Sequence, residues 1–330
     1  MNVESLLVIR YSALGDIVLA TSLLEPLRRR FPGARIELVT SAAAAPLLEG
    51  LPGIAAVHRL GRRGPDGPRA LAGRLRGRFD LAIDLQEKVK SRWLALLAAP
   101  RRLLYHRRTT GQALLALLGR DRPLQRAHAT VLYAEVLRPL GIEGPGRPEI
   151  AVPAAARARA GSLLAGARRP LVGIAPGATW ATKRWAPERF AAVADALHRS
   201  GHGLVLVAGP GDAAAVGAFR AALRAPLEAD LTPLPVDVLA AVLGELKLLV
   251  ACDSGPVHLA SAQGVPALVL FGPTSTVRWA PPPPGRALSL GLDCQPCSNH
   301  GGERCPLGHH DCLGRLEVET VLGAARELLS

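Results

Sequence analysis

The sequence predicts an α/β protein made of two open, parallel-sheet halves. Three observations predict it. Short apolar stretches alternate with helical patterns through the first 140 residues, and short buried runs separated by helices belong to parallel sheets covered on both faces. A Gly- and Pro-dense segment, GIEGPGRPEIAVP (141–153), then interrupts the pattern as a linker does. The alternation restarts at PLVGIAP (170–176) and continues to the end of the chain. The expected domains are 1–160 and 161–330.

In the first half, strands are expected at Leu6–Tyr11, Arg35–Thr40, Ala55–Arg59, Leu81–Asp84 and Arg102–Tyr105. Helices are expected at Asp16–Arg30, Arg69–Arg76, Lys88–Ala98 and Ala129–Leu140. In the second half, PLVGIAP leads to a helix over Pro187–Arg199, where Pro187 suits the first turn and Glu188 complements the helix dipole. GLVLVAG (203–209), KLLVAC (247–252) and VPALVLFG (265–272) are further strands, and a helix over Leu316–Leu328 ends the chain. Ligands of open α/β sheets bind outside the carboxyl ends of strands. That rule gathers Asp16, Gly177–Lys183, Gly209–Asp212, Asp253–His258 and Gly272–Thr276 around one expected cleft.

The chain has 330 residues and a net charge of +13, and the excess is unevenly spread. Residues 1–160 carry 26 Lys and Arg against 13 Asp and Glu, whereas residues 161–330 carry 14 of each. An arginine-rich composition explains part of the total, since only four of the 40 basic residues are lysine. It does not explain the asymmetry, which suits a first domain that meets an anionic surface. Arg62, Arg63, Lys88, Lys90 and Arg92 are its candidates. Arg10 and Asp16 interrupt the N-terminal apolar stretch, so it is not a signal peptide and the expected compartment is the cytoplasm.

LLVIRYSALGDIVLA (6–20) is a strand, a turn and a helix start, the place of a glycine-rich phosphate loop. It holds one glycine, Gly15, followed by Asp16. A carboxylate at a helix N-terminus occupies the field a phosphate would use. Asp16 is therefore either an ordinary helix-start acid or a base directed at a ligand. APGATWATKRW (175–185) follows a strand and precedes a helix. Thr179, Thr182 and Lys183 there suit a diphosphate, the alternative being a solvated loop. In CDSGPVHLASAQGVP (252–266), Asp253 ends a strand, Ser254 and Gly255 turn, and Pro256 opens a helix. Its amides suit an anion; Asp253 suits a sugar hydroxyl or a capping role, and His258 a ligand or a structural contact. GPGD (209–212) is too short for a dinucleotide fingerprint, leaving Asp212 as a hydroxyl acceptor or part of a plain turn. Cys294, Cys297, Cys305 and Cys312, with His300, His309 and His310 nearby, have a spacing open to a structural zinc, an iron–sulfur cluster, free thiols or disulfides.

Four stretches in order carry a resemblance: IRYSALGDIVLATSLLEPLRRRFPGARI, PGATWATKRWAPERFA, CDSGPVHLASAQGVPALVLFGPTSTVRWAP and CQPC…CPLGHHDC. Together they span nearly the whole chain and resemble the glycosyltransferase family 9 heptosyltransferases. The resemblance implies the GT-B architecture: two Rossmann-like domains with parallel sheets facing across a cleft, acceptor side first, donor side second, the last helix crossing back to the first domain. It implies an inverting transfer of heptose from ADP-heptose to the lipopolysaccharide inner core, at the inner face of the cytoplasmic membrane. Asp16 matches the acceptor-activating base, Thr182 and Lys183 the diphosphate contacts, and Asp253, Ser254, Gly255 and His258 the donor loop. Asp212 stands near the ribose position, but Ala213, Ala214 and Ala215 follow where some members place a glutamate. No cofactor is implied for the chemistry, and any zinc at the cysteines is structural.

Three rival readings stand beside this one. A GT-B transferase or epimerase using another nucleotide sugar would share the architecture. A nucleic-acid-binding protein lacks support, since no basic–aromatic interleaving or known module is present. A nicotinamide dehydrogenase lacks its glycine fingerprint.

Overall fold

A computed structural model describes residues 3–106 and 127–330. The chain forms two compact units, with Ala154 opening the main stretch of the second. Residues 127 and 128 group with the second unit.

The first unit runs β1 (Ser5–Ile9), α1 (Leu14–Ala20), α2 (Leu24–Arg30), β2 (Arg35–Ser41), β3 (Ile54–Leu60), α3 (Pro68–Leu75), β4 (Leu81–Asp84), α4 (Val89–Ala98), β5 (Arg101–Leu104) and α5 (Ala129–Ala134). Its five strands are all parallel, in the order β3-β2-β1-β4-β5. Leu7, Ile9, Leu71, Leu75, Phe79 and Leu94 are among its core residues.

The helix expected over Asp16–Arg30 is two helices. Pro26 has no N–H to give the Ser22 carbonyl, and a proline breaks the ladder at that point. Thr21 and Ser22 turn their hydroxyls back onto Val18 and Leu19 carbonyls at 2.6 and 2.7 Å. The Ser22 carbonyl instead accepts from Gly146 N at 2.8 Å. A Cβ at Gly146 would lie 3.1 Å from both Glu25 Cβ and Pro26 Cδ, a tight approach of the segment to α2. The 141–153 segment is thus not a loose linker. Glu149 N donates to Thr21 Oγ1 at 2.8 Å, Arg28 pairs with Glu149 at 2.6 Å, and Ala151 N donates to Leu47 O at 2.7 Å.

The second unit runs α6 (Ala154–Leu163), β6 (Leu171–Ala175), α7 (Pro187–Arg199), β7 (Gly203–Val207), α8 (Ala213–Ala222), β8 (Ala229–Leu231), α9 (Val236–Leu243), β9 (Leu248–Cys252), α10 (Gly255–Ala262), β10 (Ala267–Leu270), α11 (Thr276–Trp279), β11 (Arg286–Leu288), α12 (Asp311–Gly314) and α13 (Val318–Leu329). Its six strands are parallel, ordered β11-β10-β9-β6-β7-β8. Counted from its own first strand, this is the 3-2-1-4-5-6 order of the Rossmann fold. Both units therefore have a topological switch point, between β1 and β4 in the first and between β6 and β9 in the second. The last helix belongs to the second unit, where Val321, Ala324 and Ala325 join its core.

Candidate active site

Asp16 sits in the first turn of α1, directly after the β1 end of the first switch point. Its Oδ2 pairs with Arg10 Nη2 at 2.8 Å and faces Ala13 N at 3.4 Å, closing the helix start. Its Oδ1 accepts from the Tyr133 hydroxyl of α5. Arg10 is 6% exposed and also donates to the Leu85 carbonyl at the end of β4. Its guanidinium stands 5.5 Å from the Tyr133 ring centroid, and Tyr105 packs edge-on against that ring. Burial opposes the Arg10 cation, but Tyr133 and Asp16 outweigh it and hold the guanidinium above its ordinary value. Burial and the adjacent Asp16 push the Tyr133 hydroxyl well above the usual phenol value. Tyr133 therefore stays protonated and remains a donor to Asp16.

From the other strand of the switch point, Gln86 fixes the turn that carries Asp16. Its Oε1 accepts from Tyr11 N and Ser12 N, both at 3.0 Å, and its Nε2 donates to Ser12 Oγ at 2.8 Å. Arg10, Gln86 and Tyr133 were missed by the sequence reading. A buried arginine at the end of an apolar strand is a signal that could have been used. Tyr133 lies 117 residues from Asp16, and no local pattern links them.

In the second unit, the loop after β6 carries Thr182 and Lys183. Lys183 Nζ lies 2.8 Å from Asp253 Oδ2, with side chains 13% and 8% exposed. Thr274, within the expected Gly272–Thr276 stretch, donates from Oγ1 to the same oxygen at 2.8 Å. Ser254 precedes α10 and donates to the Cys252 carbonyl at 3.0 Å, while Gly255 is the first residue of that helix. His258 is buried one turn further along, its ring 6.3 Å from that of Trp279. Asp212 accepts from Gly209 N at 2.8 Å. A Cβ on Gly177 would lie 2.1 Å from the Asp212 carboxyl carbon, so these two loops meet through a glycine. Asp212 is thereby holding a turn. Thr182 is buried, and its hydroxyl accepts from Gly302 N and donates to Gly302 O, each at 2.8 Å.

Arg62 and Arg63 are exposed after β3, and Lys88, Lys90 and Arg92 are exposed around the start of α4. Because β1, β3 and β4 are parallel, these cations and Asp16 leave the same carboxyl edge of the first sheet. Arg107, Arg108, Arg120, Arg122 and Arg126, part of the basic excess, lie outside the described residues.

Cys294, Cys297, Cys305 and Cys312 line one cavity of about 210 Å³ together with Thr182, His309 and His310. Burial works against the Cys305 thiolate, but backbone amides of residues 307–310 outweigh it and draw that thiol below its ordinary value. Burial pushes Cys297 up, and raises Cys312 to about 11. All four are free thiols, yet among the described residues no three His, Cys, Asp or Glu side chains form a group able to hold a metal ion. Cys312 also joins the apolar core, and Cys305 is turned onto backbone amides.

Residues 68–308 match the family described as glycosyltransferase family 9 (heptosyltransferase). Lipopolysaccharide heptosyltransferase 3 of Escherichia coli is 27% identical over 286 residues, covering 81% of this chain and 83% of its own. Lipooligosaccharide heptosyltransferase 2 of Haemophilus influenzae is 26% identical over 350 residues, covering 99% of each. Among solved structures, a family 9 glycosyltransferase from Veillonella parvula superposes with a TM-score of 0.84 at 25% identity, over 99% of this chain and 97% of that one. The Escherichia coli ADP-heptose lps heptosyltransferase II has the same fold, with a TM-score of 0.77 at 24% identity over 98% of each chain. With two Rossmann-like units in the GT-B architecture and a family match across most of its length, the chain belongs to glycosyltransferase family 9, the heptosyltransferases.

Proposed function

We propose that this glycosyltransferase moves a heptose from ADP-heptose to the inner core of lipopolysaccharide, with inversion at the anomeric carbon. One observation carries the reading: each switch point holds one of the two charges the reaction needs. The Asp16 carboxylate is at the first, and the Lys183–Asp253 pair is at the second.

Asp16 accepts the proton of an acceptor hydroxyl as that oxygen bonds to the anomeric carbon. The carbon–oxygen bond to ADP breaks, and ADP leaves with the electron pair. One displacement inverts the configuration. Lys183 and the amides opening α10 stabilise the charge growing on the diphosphate, so the mechanism asks for no metal. Asp253, Ser254, Gly255 and His258 shape the donor side, Thr182 sets the course of the Lys183 loop, and Asp212 supports it from below. Holding both substrates in line supplies a further part of the rate.

The exposed cations Arg62, Arg63, Lys88, Lys90 and Arg92 are the proposed contacts for the anionic glycolipid and for the membrane surface that carries it, on the cytoplasmic side. No nucleic acid is assigned to this surface.

Calorimetric titration with ADP-heptose, with UDP-sugars in parallel, tests the donor. Selective ADP-heptose binding supports the reading. Binding only of another nucleotide sugar would keep the family and change the donor, in line with Ala213–Ala215 standing where some members place an acid.

A further inference from the structure

The proposed reaction gives the cysteine-rich segment no task, yet that segment grips the loop bearing Lys183. Thr182 N donates to Gly302 O at 3.0 Å, and the Thr182 hydroxyl exchanges hydrogen bonds with both backbone groups of Gly302. The Thr182 carbonyl meets His310 Nε2 at 2.7 Å. Amide, hydroxyl and carbonyl of the residue before Lys183 are thus all held by residues 302 and 310.

Gly301 completes the grip. Its φ is +90°, a conformation that side chains with a Cβ rarely adopt. A Cβ there would lie 2.8 and 2.9 Å from Cγ and Cδ of Lys183. The lysine stem therefore lies flat on the Gly301 backbone while its ammonium reaches Asp253. The segment is anchored at its far end too: Trp185 Nε1 donates to Leu316 O at 3.0 Å, and Arg189 Nη1 to Gly314 O at 2.9 Å. A lysine side chain has four rotatable bonds and loses much freedom when fixed, so pre-positioning it favours binding of an anion.

We propose that Gly301, Gly302 and His310 form a clasp that positions the Lys183 ammonium for the donor diphosphate. They are positioning residues, acting through Thr182 and the lysine stem. The inference rests on the reading that Lys183 meets the diphosphate.

The test uses the full-length chain with Gly301→Ala, His310→Ala and His310→Gln, each made alone and together with Lys183→Ala. ADP affinity is measured by calorimetry, donor KM and kcat by product formation, and folding by thermal melting. Gly301→Ala and His310→Ala are expected to weaken ADP binding and raise donor KM by about tenfold, with smaller changes in kcat. His310→Gln should recover most of the loss, because its amide N–H can donate to the Thr182 carbonyl. In the Lys183→Ala background the same substitutions should change ADP affinity by less than about twofold, since their effect runs through the lysine.

Losses that multiply in that background would overturn the clasp, as would wild-type ADP affinity in both Gly301→Ala and His310→Ala. If Gly301→Ala does not fold, the two His310 variants decide. If Lys183→Ala alone leaves ADP affinity unchanged, the phosphate reading fails and the clasp falls with it; an effect of Lys183→Ala without one from the clasp variants removes the clasp only.

Discussion

The Lys183 ammonium and the Asp253 carboxylate lie 2.8 Å apart at the carboxyl ends of adjacent strands β6 and β9, both largely shielded from water. Removing one partner of a shielded pair leaves the other uncompensated, a loss of about 3 kcal/mol. Thr274 remains to donate to Asp253, which reduces that loss. Lys183→Ala should therefore lower the melting temperature modestly and weaken ADP binding by about 10- to 100-fold, the worth of a charge-assisted contact. ADP should also raise the melting temperature of the wild type and not of the variant at the same concentration. Equal thermal shifts would place the phosphates away from Lys183.

Tyr133 and Asp16 give the second prediction. Tyr133→Phe keeps the ring that packs on Tyr105 and removes only the hydroxyl donated to Asp16. Stability should fall by about 1 kcal/mol, and kcat should drop more than the donor KM changes, because the donor groups are not touched. Asp16→Asn should nearly abolish transfer with ADP affinity within a few-fold of wild type. If Tyr133→Phe changed donor KM and left kcat intact, Tyr133 would have no part in holding the base.

Much of this was legible in the sequence, for physical reasons. Strand β4 has the expected bounds Leu81–Asp84 because a short apolar run between turn residues has few alternatives. Asp16, Lys183 and Asp253 are legible because each lies in the connection that leaves the carboxyl end of a strand in a parallel sheet. Helix α6 is not: AAARARAGSL presents no apolar stripe and buries only Ala156 and Ala160. Helix α8 begins in the alanine run directly after Asp212, which stands at its N-cap position, a start signal that the sequence reading assigns instead to a ligand or a plain turn. The partners of the site residues were hidden for another reason. Tyr133 reaches Asp16, and Gly302 reaches Thr182, through tertiary packing across more than a hundred residues, which no spacing rule encodes.

Buried thiols are expected to lower the stability at alkaline pH. Burial pushes Cys252 up to about 12 and Cys312 up to about 11, from an ordinary value of 9.0. Both are protonated in folded and unfolded chains below pH 9. Above it the unfolded chain releases these protons first, so the folded state is penalised. Stability should be level up to about pH 8 and then fall, by up to about 1.4 kcal/mol per pH unit for each group, until the folded thiols also ionise. Tyr133, held well above 10.0, extends the decline. Denaturant midpoints across this range check it. Cys252→Ala should give a shallower slope, and an unchanged slope would show that Cys252 does not contribute.

Helix α4 carries the last prediction. Ser91, Leu94, Ala95 and Ala98 are buried, and at about 100° per residue they form one face. Val89, Trp93 and Leu96 fall on the opposite face, 88%, 37% and 57% exposed, with Lys90 and Arg92 on its flanks and Lys88 at its start. The helix has no acidic residue, although its N-terminus favours one and disfavours lysine. An exposed apolar stripe with a tryptophan between cations suits the interface of an anionic bilayer. Among the described residues no helix is long and apolar enough to cross a membrane. The purified protein should float with phosphatidylglycerol-containing vesicles and not with phosphatidylcholine alone. Each Lys→Ala change at 88 or 90 should weaken that binding by about fivefold at low salt. Trp93→Phe should keep the binding but lose the part of the fluorescence that brominated acyl chains quench. Binding that ignores lipid charge and salt would remove α4 from the membrane surface and leave the donor chemistry as it stands, because vesicle binding is read without donor or acceptor.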